Sequence, residues 1–152
     1  MWHNENSEAD NRFCIGLRGL LAGVLGLTMV GAAVAGPMDR DFSLTRSTDH
    51  ARFRVSLESS VLPIPMGRIH SWRIHVTDPD GAPVRQAVMD VSGGMPEHGH
   101  GLPTQPRVVE ANTPGDYVIN GVRFSMTGWW VINLAIRTTD GRADTVTFNL
   151  AL

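Results

Sequence analysis

The fold of this chain is decided by the stretch IHSWRIHV at residues 69–76. Its large apolar side chains recur at every second position, which is the period of a β-strand with one buried and one exposed face. We therefore predict a strand here, with the face that carries Trp72 turned toward the core. His70 has the same parity and is predicted to lie at the start of the strand on the core side, whereas His75 is predicted to face solvent.

The rest of the chain repeats this pattern. Short segments that alternate or are strongly apolar are separated by turns such as DPDG at residues 78–81, in which Pro fixes φ and Gly accepts a positive φ. Residues 61–67 contain two prolines and are predicted to form an edge segment or a crossing loop. Further strands are predicted at residues 52–58, 87–91, 108–111, 117–124, 129–136 and 144–150, of which 129–136 is the most apolar and is expected to be central.

The strand count predicts an all-β fold. After the N-terminal segment about 117 residues remain, which is enough for one domain with its own core. Seven to eight short strands separated by turns are typical of an antiparallel β-sandwich of immunoglobulin-like type. We assign this domain to residues 52–152.

The first residues carry the pattern of an export signal. Two arginines precede an uncharged run over residues 19–36, which closes on the sequence Ala33-Val34-Ala35. This small-x-small pattern is the one that a signal peptidase recognises. We predict a signal peptide over residues 1–35, cleaved after Ala35, and a flexible tether over residues 36–51.

An uncleaved anchor is the alternative for the same segment. A run of roughly 18 apolar residues just reaches the length that spans a bilayer, so residues 19–36 would form a helix in the inner membrane if the signal were retained. Both interpretations place the domain outside the cytoplasm, either free in a periplasm or anchored to the membrane beside it.

The composition excludes several classes of function. All 13 basic residues are Arg, they are scattered along the chain, and the formal net charge is -2, so no basic patch for nucleic acid is expected. The only cysteine, Cys14, lies in the predicted signal, which excludes a disulfide or a thiolate metal site in the domain. The sequence contains neither a Gly-x-Ser-x-Gly elbow nor a phosphate-binding glycine loop, and we expect that the protein is not an enzyme.

The chemistry of the domain is concentrated in the segment GGMPEHGHGLPTQP at residues 93–106. Its Gly and Pro residues predict a loop, and because Gly99 can take a positive φ, His98 and His100 can turn toward one point. Thioether sulfur is a soft donor that favours Cu(I), and imidazole binds copper in either oxidation state. With Met95 as the third ligand, the segment predicts a copper site, with Cu(I) favoured.

Two further residues, His70 and Met126, are candidates to complete the ligand shell. Each candidate also has a structural interpretation: Met95 and Met126 could fill gaps in the core, and His70 could be a buried histidine satisfied by hydrogen bonds. An exposed glycine-rich loop would offer Met95 no core to fill, which favours the metal site.

The same residues carry a family resemblance. The segment MPEHGHG at residues 95–101, preceded by two glycines and followed by GDY at 115–117 and FSMTGW at 124–129, resembles the YtkA-like and FixH-like group of small exported domains. The resemblance covers roughly residues 69–150 and implies an immunoglobulin-like sandwich outside the cytoplasm. The related CopC-like proteins handle copper, which implies the same for this chain, with a periplasmic or membrane protein as its partner.

A second class of function is an adhesive or docking module. Trp129 and Trp130 are consecutive, so they point to opposite faces of their strand, and the indole that lies outside the core would anchor a partner protein. In that case the histidines would only shape the loop. The metal content of the purified protein distinguishes the two functions.

Overall fold

The computed structural model describes residues 40–152. The predicted signal peptide, the alternative anchor at residues 19–36 and the start of the predicted tether lie outside this range. Within residues 40–152, no helix has the length and apolar character that crossing a membrane requires.

The described residues form nine strands in two antiparallel sheets, so the predicted all-β sandwich is confirmed. In chain order the strands are β1 (Thr45–Ser47), β2 (Arg54–Ser59), β3 (His70–Thr77), β4 (Val88–Met95), β5 (His100–Gly101), β6 (Arg107–Glu110), β7 (Asp116–Val122), β8 (Trp129–Arg137) and β9 (Ala143–Ala151). One sheet has the order β1-β2-β3-β7-β6 and the other has the order β5-β4-β8-β9.

Seven of these strands correspond to predicted segments. The two additional strands, β1 and β5, have three and two residues, which is too short for a periodic pattern to be visible in the sequence. The segment at residues 61–67 forms only an isolated bridge, between Met66 and Phe124.

Side-chain alternation explains how the two sheets pack. In β3, Trp72 is buried together with His70, whereas His75 is exposed, as predicted. The strand β8 lies between β4 and β9, and its Trp130 is fully buried. The inward faces of both sheets form one core, in which burial of each large apolar side chain contributes about 1.5–3 kcal/mol.

The structure differs from the predicted tether over residues 45–51. Here β1 pairs with β2, and Thr48 is buried and donates its hydroxyl hydrogen bond to the Asp144 carboxylate at 2.6 Å. The main-chain N–H groups of His50, Arg52 and Thr145 donate to the same carboxylate. The polar composition of this segment predicted a solvent-exposed tether, but its polar groups donate hydrogen bonds to the buried Asp144 carboxylate instead.

Asp144 is held as that anion by its surroundings. Its side chain has no exposed surface, and this burial alone would raise its pKa. The hydrogen bonds from Thr48, His50 and the main chain outweigh the penalty and hold the pKa of Asp144 well below its usual range.

Tyr117 fixes the chain just before β4. Its hydroxyl donates to the Val84 carbonyl oxygen at 2.9 Å and accepts the N–H of Ala87 at 3.1 Å. Burial raises the pKa of Tyr117, so the phenol keeps its proton and remains a donor. The start of β4 is therefore anchored to the opposite sheet.

Candidate functional site

Two glycines allow β4 to continue beyond the predicted start of the loop. A Cβ atom on Gly93 would lie 2.3 Å from the Val131 carbonyl oxygen, and one on Gly94 would lie 2.3 Å from the His100 carbonyl oxygen. Real Cβ atoms do not approach oxygen so closely, so these positions require glycine. The loop predicted to begin at Gly93 is instead strand as far as Met95, because the glycines serve close packing and not a turn.

The chain reverses direction within four residues after Met95. Pro96–His98 form a 3₁₀ turn that ends at Gly99, whose φ of 66° lies in the left-handed region that glycine enters without strain. The N–H of Gly99 donates to the Met95 carbonyl oxygen at 3.0 Å. The turn delivers His100 to the position directly opposite Met95 on the neighbouring strand, where antiparallel partners project their side chains from the same face.

Met95 belongs to the core. It is 1% exposed, and its methyl carbon lies 2.8 Å from the place that a Cβ atom on Gly128 would occupy. The expectation that this Met has no core to fill is therefore wrong, because β4 carries the residue inside before the chain turns. Met95 packs as a core residue and at the same time lies opposite an exposed histidine.

His98 and His100 come together as predicted. Both are exposed, and their ring centroids are 6.0 Å apart. Because metal–imidazole nitrogen bonds are about 2 Å long, two imidazoles that share one ion have centroids roughly 5 to 6.5 Å apart. The spacing of this pair therefore suits a shared ion.

The tautomer of His100 is set by the carbonyl group of the next residue, Gly101. Its Nδ1 lies 3.2 Å from the Gly101 carbonyl oxygen, which can only accept, so Nδ1 carries the proton and donates. The lone pair is then on Nε2. Metal-binding histidines in proteins commonly have this arrangement, with one ring nitrogen held by a carbonyl and the other left to bind.

His70 lies apart from the histidine pair. It is only 7% exposed and its ring contacts Phe124, which contacts Trp130, which in turn contacts His100. No three His, Cys, Asp or Glu side chains among residues 40–152 form a group that could hold a metal ion. The structure therefore does not bring His70 into the ligand shell of His98 and His100.

Only one of the two ring nitrogens of His70 has a hydrogen-bond partner among the described residues. Its Nδ1 donates to the Arg68 carbonyl oxygen at 3.1 Å, whereas Nε2 is buried without a hydrogen-bond partner among the described residues. The nearby Trp72 Nε1 is in the same condition. The interpretation of His70 as a fully satisfied buried histidine thus accounts for one of its two nitrogens.

Met126 lies at the same end of the sandwich as the histidine pair. Its carbonyl oxygen accepts the indole N–H of Trp130 at 3.0 Å, and Gly128, two residues later, contacts Met95. The side chain of Met126 is 42% exposed, so it does not fill the core.

Contacts that join distant parts of the sequence cover Trp129. The Arg40 guanidinium lies 3.7 Å from the centroid of the Trp129 ring and pairs with Glu97 of the 3₁₀ turn at 3.0 Å. The indole N–H of Trp129 donates to Asn149 at 3.0 Å. Trp129 is thus half-buried, and its ring and N–H already contact Arg40 and Asn149, which weakens its case as a docking anchor. No local sequence pattern indicates these contacts.

The sequence matches the model of the family described as YtkA-like over residues 49–135, a range that contains all five candidate ligands. No curated protein matches the chain. A crystal structure of a DUF4426 family protein from Pseudomonas aeruginosa PAO1 is similar, with 16% identity and a TM-score of 0.53 over 72% of this chain and 96% of that one. The ZirS C-terminal domain has 11% identity and a TM-score of 0.40 over 96% of this chain and 87% of its own. At 16% identity the DUF4426 match concerns the fold alone.

Proposed function

The chain belongs to the YtkA-like family, and on that premise we propose that it is an exported copper-binding protein that handles or delivers copper through Met95, His98 and His100. One observation carries the proposal. The turn after β4 sets His100 opposite Met95 in the strand register and holds the His98 ring 6.0 Å from the His100 ring, so one thioether and two imidazoles lie at the same end of the sandwich.

The donor set favours copper over other ions. Calcium and magnesium require oxygen ligands, and structural zinc is usually bound by thiolates or by His with carboxylate. Glu97, the carboxylate nearest in sequence, is engaged by Arg40. A soft thioether with two imidazoles suits Cu(I), which accepts two to four such ligands without a strict geometry.

Met126 is the better placed of the two additional candidates. Its carbonyl oxygen accepts a hydrogen bond from Trp130, which contacts His100. Its exposed side chain lies at the same end of the molecule and is available to bind an ion. We assign His70 no role in this ligand shell, because the rings of Phe124 and Trp130 lie between it and His100.

Export is part of the proposal. The uncharged run and the Ala33-Val34-Ala35 pattern support a periplasmic location, and residues 19–36 would anchor the protein there if the signal were retained. The protein would then bind and pass on copper without catalysing a reaction, in exchange with a periplasmic or membrane protein.

The immunoglobulin-like type of the sandwich also belongs to the proposal. Without β1 and β5, the two sheets have the orders β2-β3-β7-β6 and β4-β8-β9. In chain order these correspond to strands ABED and CFG of a constant-type immunoglobulin domain. This correspondence supports the assignment. Met95 then ends strand C, His98 and His100 lie on the connection that follows strand C, and Met126 lies on the connection between strands E and F.

Substitution of Met95 by Leu tests the assignment of the ligands. The change keeps the apolar volume, so the metal-free protein should lose less than about 1.5 kcal/mol of unfolding free energy. Removal of the soft donor should lower the affinity for Cu(I) at least about tenfold, and that for Cu(II) less. Titrations under reducing and oxidising conditions measure both, and an unchanged Cu(I) affinity in a folded Met95→Leu protein would contradict the site.

A further inference from the structure

Trp130 contacts two parts of the candidate site. Its ring meets the His100 imidazole edge to face, with centroids 5.7 Å apart. Its indole N–H donates to the Met126 carbonyl oxygen at 3.0 Å. One side chain therefore touches a predicted ligand on β5 and the backbone of another predicted ligand before β8.

The indole itself is rigidly held. Trp130 has no exposed surface, and its ring packs against Phe124 with centroids 5.1 Å apart. The segment between Met126 and Trp130 is fixed as well, because the N–H and carbonyl of Gly128 both pair with the main chain of Leu152. Gly128 in turn abuts the methyl group of Met95.

We propose that Trp130 is the positioning residue of this site: its ring orients His100, and its N–H fixes the Met126 segment against Met95. This inference rests on the copper-binding function proposed above. An exposed histidine normally samples several rotamers, and ordering such a side chain on binding costs conformational entropy. Contact with a fixed indole lowers that cost, so the site is partly ordered before the ion arrives.

The neighbouring Trp129 provides a matched control. It lies on the opposite face of β8, its N–H is bonded to Asn149, and Arg40 covers its ring. Trp129→Phe and Trp130→Phe make the same chemical change one residue apart. Only the second change removes a contact with the candidate ligands.

The experiment is a titration of the exported protein with Cu(I) under reducing conditions, followed by the indole N–H signals in a proton–nitrogen correlation spectrum and by competition with a chromophoric chelator. The two Phe variants identify the signals of Trp129 and Trp130. In the wild type we expect the Trp130 signal to shift as Cu(I) binds, while the Trp129 signal stays within the line width. The Cu(I) affinity should fall about three- to tenfold in Trp130→Phe and less than twofold in Trp129→Phe.

The wild-type spectrum tests the inference even if Trp130→Phe does not fold. Saturable Cu(I) binding that is lost in His100→Ala, but that leaves the Trp130 signal unmoved in the wild type, overturns the positioning role alone. A folded Trp130→Phe protein with wild-type affinity does the same. Absence of Cu(I) binding in the wild type overturns the proposed function, and this inference with it.

Discussion

The two ends of the β8–β9 hairpin use histidine in opposite ways. At the end where β9 begins, the His50 ring pairs with the Asp144 carboxylate at 3.0 Å. About 24 Å away along β9, at the end where β8 begins, His98 and His100 contact each other and an indole. No carboxylate among residues 40–152 pairs with either of them.

The difference separates structural histidines from candidate ligands. A ring that pairs with a carboxylate already has a hydrogen-bond partner, and His75 is in the same position as His50, because its Nδ1 lies 2.6 Å from Asp116. Like His100, both rings are held through Nδ1 and keep Nε2, but among residues 40–152 only His98 and His100 have a second imidazole beside them, with centroids 6.0 Å apart, that could share a metal ion. All four histidines are exposed, so exposure alone does not distinguish them.

The largest effect is expected at the Asp144 end. Asp144→Ala leaves three main-chain N–H groups without their acceptor and leaves the Thr48 hydroxyl only the Phe53 carbonyl oxygen, at 3.2 Å, and we expect a loss of about 3 kcal/mol or more in the free energy of unfolding. Asp144→Asn keeps one acceptor oxygen and should lose less. Denaturant unfolding measures both, and an Asp144→Ala protein as stable as the wild type would show that the network does not hold the N-terminal segment.

The same carboxylate predicts how stability depends on pH. Because the folded-state pKa of Asp144 is depressed, its contribution is complete above the pKa of an unfolded aspartate, near ~3.9, and is lost progressively as pH falls below that value. Asp144→Asn has no such proton to gain. Unfolding curves between neutral pH and about pH 3 should therefore fall less steeply for Asp144→Asn, and parallel curves would contradict the assignment.

A smaller effect is expected from the glycine that β5 packs against. A Cβ on Gly94 would overlap the His100 carbonyl oxygen, so Gly94→Ala should displace β5, cost roughly 1–3 kcal/mol of stability and weaken copper binding. The control is Gly101→Ala, whose Cβ would meet its nearest neighbour at an ordinary 3.4 Å. If both variants bound copper equally well, the pairing of Met95 with His100 would not matter to the site.

The smallest effect is expected at Arg40. Its ion pair with Glu97 and its contact with the Trp129 ring are both partly exposed, and such interactions contribute about 1 kcal/mol or less. Arg40→Ala should lower the melting temperature slightly and leave Cu(I) affinity within about twofold of wild type. A larger loss of affinity would mean that the N-terminal segment takes part in the site.

The sequence predicted the elements whose signal is local. The alternation at residues 69–76 and the apolar run at 129–136 correspond to β3 and β8 within one residue at each end. The turn at Gly99 and the approach of His98 to His100 also follow from neighbouring residues. Each of these features depends on residues that are neighbours in the sequence.

The missed features depend on how strands pair with one another. Gly93 and Gly94 have the composition of a loop, but their role is to admit the carbonyl groups of Val131 and His100. The segment at residues 45–51 has the composition of a tether, but Asp144, more than 90 residues later, orders it. These partners cannot be identified from composition, because the contacts depend on which strands pair and in which register.

The most direct measurement compares the two kinds of histidine. Cu(I) affinities are determined by chelator competition for the wild type, for the double variant His98→Ala/His100→Ala and for the control His50→Ala/His75→Ala, after thermal unfolding has shown that each is folded. We expect the first double variant to lose at least about 100-fold in affinity, since even outer-shell partners of a metal site contribute 10–100-fold, and the control to remain within about twofold. Equal affinities in the two double variants would contradict the copper site at Met95, His98 and His100.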